Sequence, residues 1–399
     1  MKVQTQGECP TSGTLVARKL FMTRPSAARL DQLQRAAAES PEVISFAGGL
    51  PDPQLFPKYE LSDAFYCALH GSQSLQYGWP EGEPELREWV AARLRSRGAD
   101  VDAEHVLITS GAQQAISVAA RSLLSAGDRV GVKSPTYPGA LEIFRGLELD
   151  LVDGSSPARA YYVQSAIENP RGSPLGEAER HELLKSAEGA DAVIIEDDAY
   201  AETVFAGRPA RPLLADAPET VLHIGTLSKI LCPGLRIGWL VTRHPKFAEL
   251  LREKQQTDLQ AAPLTQRIVI EYLRGGHLEP HLARIRREYA RKAERLCRAV
   301  RLLLPEFSVT EPQGGFSLWL EAREGAVQVS DLDWLASAVR HGVSFDPGRS
   351  FRAQRSDRLS LRLCYSGAPE EAIERGVRRL GEALRALGAQ QAWGQRSAL

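Results

Sequence analysis

At 399 residues the chain is long for one domain, and 43% apolar with 25% charged residues is ordinary globular usage, so wholesale disorder, a collagen-like repeat and a small disulfide scaffold are excluded. Lys and Arg (49) balance Asp and Glu (50), and a net charge of -1 gives no electrostatic reason for a nucleic-acid or anionic-membrane partner. Five cysteines, Cys9, Cys67, Cys232, Cys297 and Cys364, lie far apart without a CxxC pair and read as reduced thiols; with no apolar leader and no run of about 18 apolar residues, a soluble cytoplasmic protein is the expectation.

No internal repeat and no low-complexity linker divides the chain. The middle alternates short β-branched runs, at residues 106–108, 130–133, 193–195 and 221–224, with helix-length segments, one of them opening at Gln113. That pattern predicts a parallel sheet covered on both faces, an α/β domain. Ligands of such sheets sit beyond the carboxyl ends of the strands, which singles out the loops that begin at Ser110, Ser134, Glu196 and Gly225. From Leu282 the apolar positions Ile285, Tyr289, Leu296, Val300 and Leu303 mark one stripe of a long helix that stops before Pro305. Its many Arg and Lys residues read as a solvated face rather than a nucleic-acid stripe. Runs at 316–320, 343–345 and 359–363 predict strands of a second, α+β domain.

Within GTLSKILCPGLRIGW (225–239), a lysine at a strand end in a semi-apolar loop can have a lowered pKa and form a Schiff base with a carbonyl. Thr226, Ser228 and Arg236 can hold an anion beside Lys229. In IIEDDAY, Asp197 can keep a heteroaromatic nitrogen protonated and Tyr200 can hydrogen-bond a ring hydroxyl; the competing reading is that Asp197 and Asp198 only cap the next segment. In SGAQQA, Gly111 permits close backbone approach, and the N–H groups of Ala112 and Gln113 at a helix start form a phosphate cradle. Tyr137 in SPTYPG offers a face for a planar cofactor, and Asn169 in ENPRG a neutral donor for a ring oxygen or a plain Asn-Pro turn. Arg362, inside the apolar run SLRLC, needs an anionic partner, which substrate carboxylate supplies better than a structural ion pair. A metal site is not expected: His277 and His281 are four apart, but Pro280 intervenes and surface positions explain them.

These segments, in order with FAGGLPDPQLFP (46–57), LQYGWPEGEPELR (75–87) and LRLCYS (361–366), resemble the fold-type I pyridoxal-phosphate enzymes of the class I/II aminotransferase group, from about residue 20 to 390. The likeness is strongest to the 2-aminoadipate, kynurenine and aromatic aminotransferase branch. It implies a mostly parallel seven-stranded sheet between helices in a large domain (51–285), a smaller α+β domain (286–399) and an N-terminal arm (1–50) that packs on the small domain and active site. It implies pyridoxal 5'-phosphate held by Lys229 as a Schiff base (internal aldimine), with Asp197 on the pyridine nitrogen, Tyr200 and Asn169 on the ring oxygen and Tyr137 stacked on the ring. The phosphate would be held by Gly111, Ala112, Gln113, Thr226, Ser228 and Arg236, and by Tyr77 donated to the neighbouring subunit of a homodimer. Arg362 would bind the substrate carboxylate, with Gly48, Gly49, Asn169 and Arg24 near the substrate. The implied reaction moves the amino group of an L-amino acid to a 2-oxo acid such as 2-oxoglutarate, in ping-pong fashion through pyridoxamine phosphate.

Arg171, Ala199, Ala112, Ser134 and Ser360 depart from the residues common in the group, and leave room for the alternative, an enzyme of specialised metabolism that diverts the carbanion to elimination, replacement, cyclisation or oxidation. A regulator built on this fold is disfavoured because no basic DNA-binding module is expected before residue 20. Trp79, Tyr137 and Phe351 within reach of the pocket would favour bulky or aromatic side chains.

Overall fold

The structure, a computed structural model, describes residues 40, 42–70, 74–354, 356 and 358–397. Arg24 and Cys9 lie outside them. A first strand, β1 (Ile44–Phe46), is followed by β2 (Val106–Thr109), β3 (Arg129–Val132), β4 (Asp150–Asp153), β5 (Ala160–Val163), β6 (Val193–Asp197), β7 (Val221–Thr226) and β8 (Gly238–Val241). The last seven form one sheet, in the order β2-β8-β7-β6-β5-β3-β4. Strands β9 (Phe307–Val309), β10 (Ser317–Ala322), β11 (Val343–Pro347) and β12 (Ser360–Cys364) combine with β1 in a five-stranded sheet ordered β1-β11-β12-β10-β9. The helices are α1 (Lys58–His70), α2 (Pro84–Arg95), α3 (Ala112–Leu123), α4 (Pro138–Gly146), α5 (Glu177–Ala190), α6 (Phe247–Asp258), α7 (Pro263–Arg274), α8 (Leu278–Leu303), α9 (Asp331–Arg340) and α10 (Ile373–Ser397). Among the described residues none is long and apolar enough to cross a membrane.

The β-branched runs read from the sequence are β2, β3, β6 and β7. The pairs β3/β4, β3/β5, β5/β6 and β6/β7 are parallel as expected. Strand β8 runs antiparallel to both β2 and β7, so the sheet is mixed. It escaped the sequence reading because Gly238 and Trp239 close the lysine loop and only Leu240 and Val241 look like a strand.

Alternation along the buried strands shows why the sheet needs cover on both faces. Leu107, Ile195, Leu222, Ile224 and Leu240 pack on one side with Ile116 of α3 and Phe144 of α4. Their neighbours Ile108, Ile194, Val221 and Val241 join a second core on the other side, which continues into the five-stranded sheet through Tyr289, Phe316 and Leu363. Each such side chain contributes on the order of 1.5–3 kcal/mol of burial. Prolines start α2, α4 and α7, where the missing N–H costs no hydrogen bond.

Helix α8 carries the predicted stripe and ends just before Pro305. The solvated-face reading needs one correction: Lys292 is buried, donating to Asp52 Oδ2 at 2.8 Å and to the Ser366 carbonyl at 2.9 Å. The helix lies beneath the 50–52 segment, so its charged side is partly covered.

Candidate active site

Four structural pieces converge at the carboxyl ends of β2, β5, β6 and β7. Ala112, Gln113, Tyr137, Gln164, Asn169, Asp197, Ala199, Tyr200, Thr226, Ser228, Lys229 and Arg236 line one cleft there.

The turn from β2 into α3 forms its floor. Gly111 has φ +97°, and a Cβ on it would lie 2.5 Å from Arg236 Nη2. A Cβ on Gly238 would lie 2.6 Å from the Gly111 carbonyl carbon, so both glycines are needed for two backbones and one guanidinium to meet. The first N–H groups of α3 have no acceptor within the helix and face this corner. Arg236, itself left-handed at φ 52°, donates to the Ser110 carbonyl at 2.9 Å. Thr226 Oγ1 accepts from the Ser228 N–H at 3.1 Å and donates to the Ile237 carbonyl at 2.8 Å. Helix N–H groups, two hydroxyls and a guanidinium converge as an anion site requires. Behind it, Asp258 at the end of α6 accepts from Ser110 Oγ, Gln114 Nε2 and the buried Lys254 Nζ, fixing the turn from below.

Asp197 closes β6 with its side chain in the cleft. Its Oδ2 accepts from Tyr162 Oη at 2.5 Å, with Gln164 Nε2 at 3.5 Å, and its Oδ1 accepts from the Ala199 N–H at 3.2 Å. Burial raises the Asp197 pKa, while the Tyr162 hydrogen bond and the charge of Lys229 work against it. The capping alternative accounts only for the local bond from the Ala199 N–H. The neighbouring acids do other work: Glu196 accepts from Ser165, from the Leu213 and Leu214 N–H groups and pairs with His223, and Asp198 pairs with Arg97 at 2.7 Å.

Lys229 Nζ donates to the Gly49 carbonyl at 3.2 Å and lies 5.5 Å from the centre of the Tyr200 ring and 5.8 Å from that of Phe316. Burial, then the charge of Arg362, bring its pKa down to about 8. Tyr200 is buried edge-on to Phe316, and burial raises its phenol. Tyr137 Oη donates to Gln113 Oε1 at 3.0 Å; burial, then the charge of Asp197, push its phenol up to about 12. Gly139 is required beside it, since a Cβ would meet the Tyr137 ring at 2.6 Å.

The opposite wall comes from the five-stranded sheet. Arg362, in β12, donates through Nε and Nη2 to Asp346 Oδ2 at 2.9 and 2.7 Å and through Nη1 to Asn169 Oδ1 at 2.9 Å, with its guanidinium 4.6 Å from the Phe351 ring centre. Asp346 also accepts from the Gly48 N–H at 3.0 Å. Gly49, at φ +60°, crosses the guanidinium: a Cβ there would lie 3.2 Å from Nη1. Arg362 thus has a protein carboxylate partner, which the sequence reading had ranked below substrate. Asn169 lines the cleft with its Oδ1 already committed to Arg362.

The predicted residues that are described therefore meet, except that Tyr77 is 77% exposed, outside the cleft of this single chain, and Trp79 is 68% exposed; Arg24 lies outside the described residues. Phe351 reaches the site from beneath Arg362 rather than as a pocket wall. His281 is buried, not on the surface, with its pKa lowered to about 4 by burial and by Arg284. Among the described residues the one trio spaced for a metal is Asp102, Glu104 and His105, which precede β2, are mostly exposed and do not line the cleft. Tyr162, Gln164 and Asp346 were missed. The strand-end rule applied to β5 would have found Gln164, whereas Asp346 gains its signal only from its place opposite Arg362 across β11 and β12.

The arrangement can hold an anion, a flat ring with a basic nitrogen, and a carbonyl at Lys229, beside an arginine whose planar fork suits a carboxylate. The family model for aminotransferase class I and II matches residues 43–158 and 162–380. The chain is 32% identical over 377 residues to the aromatic-amino-acid aminotransferase 1 of Thermococcus litoralis, covering 87% of this chain and 89% of that relative. It is 35% identical over 373 residues to the 2-aminoadipate transaminase of Thermus thermophilus, covering 88% and 92%. Its fold matches the crystal structure of the kynurenine aminotransferase of Pyrococcus horikoshii with a TM-score of 0.84 at 30% identity, covering 94% of this chain and 98% of that one.

Proposed function

The chain belongs to the class I and II aminotransferase family and is a pyridoxal-phosphate-dependent aminotransferase, and from that premise we propose how its residues divide the work. Bound pyridoxal phosphate supplies an aldehyde carbon that takes the amino group and a ring that spreads the charge left when the α-proton departs. The turn into α3, with Thr226, Ser228 and Arg236, holds its phosphate. Asp197 keeps a proton on the ring nitrogen, Tyr200 and Asn169 hold the ring oxygen, and Tyr137 covers the ring. Lys229 Nζ would be the amine that holds the cofactor's aldehyde carbon and the base that moves the α-proton. Arg362 binds the α-carboxylate, with Gly48 and Gly49 beside the substrate. The observation that carries this reading is the position of Lys229 Nζ, in one cleft between the Asp197 wall and the Arg362 wall, with its pKa brought down to about 8 by burial and by Arg362.

The donor we propose is an amino acid with a long or aromatic side chain, in line with the relatives named for aromatic amino acids, 2-aminoadipate and kynurenine, and the acceptor 2-oxoglutarate. We also propose a homodimer in which Tyr77 reaches the partner's phosphate site. Tyr59, Phe65, Tyr66 and Leu69 of α1 are exposed together with Leu75, Tyr77 and Trp79, an apolar face of the kind a partner covers. The free state of Cys67, Cys232, Cys297 and Cys364 supports a reducing, cytoplasmic setting.

The test is borohydride reduction of the cofactor-loaded protein, followed by peptide mass spectrometry and assay with an amino-acid panel and 2-oxoglutarate. The cofactor mass is expected on the peptide containing Lys229, with release of the matching 2-oxo acid. In Lys229→Ala the label disappears and transfer falls by roughly 10⁴-fold or more. A label on another lysine would overturn the assignment of Lys229.

A further inference from the structure

Arginine has five N–H donors in a fixed fork. In Arg362, Nε and Nη2 serve Asp346 Oδ2, and Nη1 serves Asn169 Oδ1. One N–H donor remains on Nη1 and one on Nη2, and Gly49 keeps its backbone close over the guanidinium, where a Cβ would lie 3.2 and 3.3 Å from these nitrogens. Two donors are therefore left for a carboxylate. The electrostatics differ from those of a lone arginine, however. A buried guanidinium without a counter-ion must wait for the substrate's carboxylate, and a ligand lacking one leaves a buried charge uncompensated. Here Asp346 compensates Arg362 before any substrate arrives, and the pair is buried on both sides, with 9% and 8% side-chain exposure.

Building on the reading given under Proposed function, we propose that Asp346 is a specificity-determining residue that relaxes the demand for an α-carboxylate, so that primary amines lacking it are also amino donors. The group transfer is balanced: a primary amine R–CH2–NH2 and a 2-oxo acid give the aldehyde R–CHO and a 2-amino acid. The carbon–nitrogen bond of the amine breaks and that of the amino acid forms, the amine carbon being oxidised and the oxo carbon reduced, with the 2-oxo acid as the only oxidant. Asp346 acts through Arg362 and touches neither cofactor nor reacting atoms.

The geometry also supplies a clean variant. Both bonds from Arg362 end on Oδ2, and the Gly48 N–H bond to that oxygen, at 3.0 Å, is shorter than its 3.2 Å contact to Oδ1. In Asp346→Asn an amide oxygen can take the place of Oδ2 and keep the arginine aimed while the negative charge is lost.

The experiment measures kcat/KM of the holoenzyme, with 2-oxoglutarate as acceptor, for matched pairs such as phenylalanine with 2-phenylethylamine and leucine with isopentylamine. A site built to hydrogen-bond a group rejects the analogue lacking it by about 10⁴–10⁵-fold, so a preference for the amino acid below about 10³ is expected in the wild type. In Asp346→Asn that preference is expected to rise by roughly tenfold or more, through a lower KM for the amino acid, because a repelling charge has gone. A general loss of structure would lower both substrates together and leave the ratio unmoved. Absence of amine turnover in the wild type, or a ratio in the variant that stays level or falls, would overturn the proposal. Should Asp346→Asn fail to fold, the wild-type ratio decides alone. If amino acids turn over normally and the amine arm fails, only the role of Asp346 is lost; if neither substrate turns over, the reading of the site falls with it.

Discussion

Lys229 and Arg362 are cations set in facing walls of one site, yet their surroundings treat charge in opposite ways. Lys229 meets a carbonyl and two aromatic rings, and burial together with the nearby arginine lowers its pKa to about 8. Arg362 is the more buried of the two, but Asp346 offsets that burial and raises its pKa. An amine that has to lose its proton is kept from close counter-ions, whereas a guanidinium that has to stay charged is given one. The wall built on the large sheet is thus poised for covalent chemistry and the wall built on the small sheet for recognition.

Three experiments would break or sharpen that contrast. The largest effect is expected at Asp197: replacing it with Ala removes the carboxylate facing the ring nitrogen and lowers kcat by roughly 10²–10³-fold, with little change in the affinity for a non-reacting carboxylate, measured by inhibition. Equal losses in both would mean that the walls are not separable. Next, the rate at which apo-protein captures the cofactor should follow the neutral fraction of Lys229. Its amine is protonated below about pH 8 and free above it, so the rate rises about tenfold per unit up to that point and then levels; a flat profile from pH 6 to 9 would argue against a lowered lysine. The smallest effect belongs to Gly49→Ala. The new Cβ falls 3.2–3.4 Å from the Arg362 guanidinium at φ +60°, so the amino-acid KM should rise several-fold while kcat and cofactor capture hold. A change in kcat with constant KM would place Gly49 on the other wall.

The lysine wall was legible because the strand-end rule turns local motifs into a site. Ser110, Asp197, Thr226 and Lys229 each follow or finish a β-branched run, and periodicity alone locates those runs. The limits are physical too. Strand β8 contributes four residues whose partner is chosen by tertiary pairing, and β5 is a four-residue run with a tyrosine pair in its middle, so Tyr162 under Asp197 gave no local signal. Asp346 was hidden for a different reason. A single acid in VSFDP becomes informative only once Arg362 is known to pair beside it across β11 and β12. Burial of Lys292 and His281 was likewise unreadable, since helical spacing reports which side of α8 is apolar and not which chain segments later cover its polar edge.

The bond between Gly48 and Asp346 joins residues 298 positions apart, and β1 pairs in parallel with β11 across a similar separation. Among the described residues, β1 has its only sheet partner in the last third of the chain. Contacts of such sequence separation close late, because loop entropy must be overcome before they form. On the ribosome every strand of the large sheet can have emerged while β1 still has an open edge, so the segment carrying Gly48 and Gly49 is seated against Arg362 and Lys229 only once β11 has followed.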